Sequence, residues 1–109
     1  MKASDIEELS LFEVNLYQKY KYLQRNSEPY FWISLHKIMK LIDMSEDLFV
    51  IRLQQLWSDQ FTPEPVFKHK YMFGLEVDTT PREHYWYRNH QIIIDGVPRY
   101  IINMVPRLL

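Results

Sequence analysis

Residues 32–57 read WISLHKIMKLIDMSEDLFVIRLQQLW, and their pattern decides how the rest of the chain is read. Leu35, Ile38 and Ile42 recur at helical spacing, with Met39 beside them and Lys37 and Lys40 on the opposite side. Ser34 stands where an N-cap is needed. A break follows at Asp43-Met44-Ser45. Ser45 is a second N-cap, and Glu46 and Asp47 suit the positive end of the helix dipole behind it. Phe49, Leu53, Leu56 and Trp57 form the next apolar stripe, with Leu48 and Ile51 beside it. A break this short suits two helices that cross steeply.

Upstream, Ser4 and Glu7 have the spacing of a capping box. Ile6, Leu9, Leu16, Tyr20 and Leu23 then predict a helix from about Asp5 to about Gln24, widened by Phe12, Val14 and Tyr17. Pro29 ends it, because the residue before a proline is driven out of the helical region. Tyr30-Phe31-Trp32-Ile33 is an aromatic connector with strand propensity, read either as a short strand or as an anchor in the core.

Downstream, Ser58 to Pro65 reads as a linker, and the period then changes to two. Phe67, Tyr71, Phe73, Leu75 and Val77 alternate with Lys68, Lys70, Met72 and Glu76, which predicts a half-buried strand. Asp78-Thr79-Thr80-Pro81 is a turn. A second strand is expected from about Glu83 to Ile94, and a third from Val97 to about Val105. Asp95-Gly96 joins them as a type I′ turn, which needs positive φ at both central residues. In that register Ile94 faces Val97 and Ile93 faces Pro98 in a non-hydrogen-bonded pair, so the missing N–H of Pro98 costs no ladder bond. The expected fold class is α+β: one domain over residues 1–109, with a helical part at 4–58 and a three-stranded antiparallel meander at 66–105.

Composition narrows the function. Aromatics make up 16% of the chain and hydrophobic residues 47%, enough for a packed core and against disorder. With two glycines, Gly74 and Gly96, no Gly-rich phosphate loop can be built. With no cysteine, disulfides, thiolate metal sites and a Cys nucleophile are excluded. The formal net charge of −1 argues against strong non-specific attraction to nucleic acid. The first ten residues are acidic and lack an apolar signal core, and no apolar run reaches the ~20 residues of a membrane span. A cytoplasmic protein with no membrane association is therefore expected. The serines and carboxylates are accounted for by caps and turns, so the chain is not expected to be an enzyme or to carry a cofactor. His84 and His90 are about 20 Å apart on an extended strand, too far to share a metal ion. His36 and His69 read as surface or boundary residues, with Lys68-His69-Lys70 and Arg82 as a modest basic patch.

The helix–break–helix of residues 34–57 resembles the helix-turn-helix of winged-helix DNA-binding domains, on Leu35, Ile38, Met39, Ile42, Met44, Ser45, Phe49, Leu53 and Leu56. The hairpin of residues 92–102 would correspond to the wing. The resemblance implies a small non-enzymatic transcription regulator, homodimeric, whose second helix of the pair enters the major groove of double-stranded DNA. Arg52, Gln54 and Gln55 would then face the bases, with Arg88 and Arg99 near phosphates. This sequence departs from the family in having Asp43 where the turn often has Gly, and in carrying Glu46 and Asp47 where the helix would approach phosphate. The alternative is a protein-protein interaction or adaptor role. There Tyr85, Trp86 and Tyr87 would bind a partner through an aromatic sheet surface, or an open edge strand would pair with another chain.

Overall fold

Leu9, Phe12, Leu16, Tyr20 and Leu23 are all buried and fall on one helical face, so the first apolar stripe becomes α1, Ala3–Asn26. The computed structural model describes residues 3–26, 32–76 and 92–107. Helix α1 already begins at Ala3, so Ser4 lies in its first turn rather than capping it, a correction to the capping box. At the other end it runs to Asn26, whose side-chain amide donates to the Tyr22 carbonyl at 2.8 Å.

The deciding stretch folds as it reads. Ile33–Ser34 is a two-residue strand, β1, and leads directly into α2, Leu35–Leu41. The Ser34 Oγ accepts the Lys37 N–H at 3.3 Å and caps that helix. The chain then turns through Ile42, and the Met44 N–H donates to the Ile42 carbonyl at 2.9 Å. The Ser45 Oγ accepts the Leu48 N–H at 3.2 Å and starts α3, Glu46–Gln60. Phe49, Leu53 and Leu56 are buried, and Phe49 meets Phe12 of α1 edge to face at 5.5 Å. Leu48 and Ile51, expected beside the buried stripe, instead face outward at 38% and 53% exposure. The helix also extends past the predicted linker start at Ser58, because Asp59 turns inward and is held there.

Strand β2, Tyr71–Glu76, buries Phe73 and Leu75 as its alternation requires. It begins four residues later than Phe67, although Phe67 and His69 are themselves buried. The described part of the next predicted strand is β3, Ile92–Ile94; residues 83–91 of it lie outside the described residues. Asp95 and Gly96 have φ of 53° and 74°, as the type I′ turn demands, and β4, Val97–Arg99, returns with Ile94 opposite Val97 and Ile93 opposite Pro98.

The expected meander is not what forms. The predicted third strand is split at Tyr100, and Ile101–Pro106 is a separate strand, β5. It lies at the centre of an antiparallel sheet of order β1–β5–β2, while β3 and β4 pair only with each other among the described residues. Tyr100 is the corner. It is buried, its N–H donates to the Glu76 carbonyl at 3.0 Å, and its carbonyl accepts the Leu35 N–H at 2.9 Å. That corner moves the chain from one sheet into the other. The result is an α+β fold with three helices and antiparallel sheets among the described residues. One apolar core runs from α1 through Leu35 and Ile38 of α2 to Ile102 and Met104 of β5.

Candidate functional site

Helix α3 carries three of the five predicted nucleic-acid contacts, Arg52, Gln54 and Gln55, and its outer face can be read residue by residue. Glu46, Asp47, Leu48, Ile51, Gln54 and Ser58 are exposed, and Val50 and Gln55 are half-buried. A groove of about 460 Å³ runs along this face, lined by Val50, Ile51, Gln54, Gln55, Ser58 and Thr62 with the edge of Asp59. The apolar part of the lining comes from Val50 and Ile51, and the carboxylates of the first turn, Glu46 and Asp47, lie on the same helix outside the groove.

The helix carries one cation, and it is engaged inside the fold. The Arg52 side chain is 13% exposed, and its guanidinium pairs with Glu8 of α1 and lies 3.9 Å from Asp5. It also donates to the Gln55 Oε1 at 3.0 Å. Arg99 is committed too. Its Nη1 donates to the Leu75 carbonyl at 3.0 Å, and its guanidinium carbon sits 5.2 Å from the Trp57 ring centroid. Phe61 and Phe73 pack on that same indole at 4.7 and 5.7 Å. Arg52, Gln54 and Gln55 are therefore brought together on α3, whereas Arg99 belongs to the aromatic cluster at its flank. Arg88 and the partner-binding candidates Tyr85, Trp86 and Tyr87 lie outside the described residues.

The sheet edge can be read in the same way. The Arg107 N–H donates to the Lys70 carbonyl at 2.9 Å, which sets the even-numbered residues of β2 toward β5 and the odd-numbered ones toward its outer edge, where no strand pairs among the described residues. Side chains occupy that edge. The Gln60 amide donates to the Phe73 carbonyl at 3.0 Å and accepts the Phe73 N–H at 3.4 Å, as a neighbouring strand would. Arg99 takes the Leu75 carbonyl and Arg107 Nε the Tyr71 carbonyl, at 3.0 and 3.5 Å. An edge blocked in this way is a poor template for strand addition.

Reading by sequence missed the buried polar cluster of Glu13, Asp59 and His69. His69 is 6% exposed, against the expected surface or boundary position, and its Nε2 lies 2.8 Å from the Asp59 Oδ2. Asp59 also accepts the Val66 and Phe67 N–H groups at 3.0 and 2.9 Å, and Glu13 accepts the Lys70 N–H on both oxygens at 3.2 Å. Burial pushes the Asp59 carboxyl up, but the Phe67 and Val66 N–H groups and His69 outweigh it, so Asp59 stays below the ordinary carboxylate value. For Glu13 burial wins over Lys70, His69 and Tyr71, and its carboxyl is raised. A signal was present in the sequence. Glu13 is four residues from Leu9 and three from Leu16, on the apolar stripe of α1, and Asp59 follows Leu56 by three on that of α3.

Among the described residues no group of three or more His, Asp or Glu side chains is arranged to hold a metal ion, and no helix is long and apolar enough to cross a membrane. The chain matches no protein-family model, and no curated protein or solved structure is significantly similar to it.

Proposed function

We propose that the chain is a non-enzymatic recognition module, winged-helix-like in build, that binds a protein partner through the outer face of α3. The observation that carries this reading is the composition of that face: Leu48, Val50 and Ile51 lie beside Glu46 and Asp47, and the only cation of the helix, Arg52, is turned toward α1. An apolar strip flanked by carboxylates fits a partner segment that presents apolar side chains next to Lys or Arg. Phosphate binding would need the reverse charge at the helix N-terminus.

Duplex DNA remains the second reading, and the order of elements favours it. A helix pair with a capped second helix packs on a small antiparallel sheet, and the β3–β4 hairpin contacts α3, where a wing would lie. Gln54, exposed, and Gln55 would be its base-reading candidates.

Selection of displayed random peptides against the full chain separates the two. The expected result is enrichment of peptides that combine apolar and basic residues, with binding reduced at least tenfold by Ile51→Lys and by Glu46→Lys with Asp47→Lys. No enrichment beyond that obtained with Ile51→Lys would overturn the protein-binding reading.

A further inference from the structure

Glu13 of α1, Asp59 of α3 and His69, in the segment that leads into β2, meet in the interior at 1%, 8% and 6% exposure. Asp59 is fixed as an acceptor by two backbone N–H groups, so the His69 Nε2 must donate to it across their 2.8 Å. The other ring nitrogen, Nδ1, is buried, has no hydrogen-bond partner among the described residues, and lies 3.9 Å from the Glu13 Oε2. If the imidazole carried only its Nε2 proton and Glu13 were ionised, two lone-pair atoms would face each other where water cannot separate them. One proton between them reverses the interaction. Written as an imidazolium N–H toward a carboxylate or as a carboxylic acid toward an imidazole, the pair has the same proton count.

We propose that the folded protein retains one proton on the line between Glu13 and His69, making the Glu13–His69–Asp59 cluster a proton-locked clasp that loosens as pH rises above neutral. The other ionisable groups acting on Glu13 are Lys70, which follows His69, and Tyr71 at the start of β2, itself stacked on Tyr17 of α1 at 4.1 Å. Burial of the Glu13 carboxyl, which raises it, works in the same direction as the clasp. What the clasp holds is specific. Asp59 ties Val66 and Phe67 to α3, and Glu13 ties Lys70 to α1, so its loosening frees the entry into β2.

The sign follows from the proton count. Above about pH 6.5 an unfolded histidine is neutral and an unfolded glutamate ionised, so the folded chain holds one proton more. Its folding equilibrium constant should therefore fall by up to about tenfold per pH unit above that point. Urea unfolding of the full chain from about pH 6.5 to 9, wild type against Glu13→Gln, measures this. The Gln amide can donate to Nδ1 and accept from the Lys70 N–H without a titrating proton, so the variant is expected to lose the alkaline slope. Parallel wild-type and variant curves would overturn the clasp. Nitrogen-15 shifts of His69 in the wild-type protein at about pH 7.5 keep the test decisive if Glu13→Gln does not fold. A protonated or hydrogen-bonded Nδ1 is expected, and a free, unprotonated Nδ1 would overturn it.

Discussion

Asp59 accepts two backbone N–H groups and the His69 ring at the C-terminal end of α3. Asp59→Ala leaves the Phe67 N–H and the His69 ring, both buried, and the partly buried Val66 N–H without their acceptor, and is expected to lower stability by about 3 kcal/mol in urea unfolding. The pH dependence of this site has its own sign. Because the folded Asp59 lies below the ordinary carboxylate value, its contribution is complete above about pH 4 and is lost as pH falls through the folded value. The stability gap between wild type and Asp59→Asn should accordingly shrink on acidification. Gly74 makes a second test at this scale. A Cβ there would meet the Asn103 Oδ1 at 3.1 Å and the Trp32 Cη2 at 3.3 Å. Ala would restrict the unfolded chain and return about 0.5 kcal/mol, less than the crowding of an indole edge costs, so Gly74→Ala should lose about 1 kcal/mol net. Asp59 carried a faint signal, three residues past Leu56 on the apolar stripe, and Gly74 carried none. A carboxylate near a predicted linker looks solvated, and a glycine in a strand does not announce which ring lies over it.

At the scale of elements, Gln60 and Tyr100 decide what the sheet can do. Gln60→Ala removes both hydrogen bonds to Phe73 and opens the outer edge of β2. The expected loss is about 1 kcal/mol, since water can reach part of this edge, with concentration-dependent self-association in sedimentation velocity. Unchanged sedimentation would mean that the edge is protected by something other than the amide. The elements fixed by local chemistry were readable: Ser34 and Ser45 cap the helices they precede, and Asp95-Gly96 makes the turn and register its two residues require. The pairing of strands was not readable. The two residues of β1 are too few to show a period, and their partners Ile101 and Ile102 lie almost seventy positions away. The continuous run from Val97 to Val105 hides the corner at Tyr100, because that residue's hydrogen bonds go to Glu76 and Leu35, which are distant in sequence.

Across the whole molecule, charge placement separates the two readings of function. The helix pair and its spacing were legible at residues 34–57, and the resemblance they carry invited Arg52, Arg88 and Arg99 as DNA contacts. What the sequence left open was where those cations point. Arg52 faces the carboxylates of α1, and Arg99 lies over Trp57 with a bond to Leu75. A chain of net charge −1 with two of its three candidate arginines engaged in this way, the third, Arg88, lying outside the described residues, should offer phosphates little. The most direct measurement is fluorescence anisotropy of a mixed-sequence DNA duplex titrated with the full chain across a range of salt concentrations. The expected result is no saturable binding at low salt, and no gain when Asp5 and Glu8 are replaced by Asn and Gln to release Arg52. Tight binding that weakens steeply with rising salt would contradict it and make duplex DNA the partner of α3.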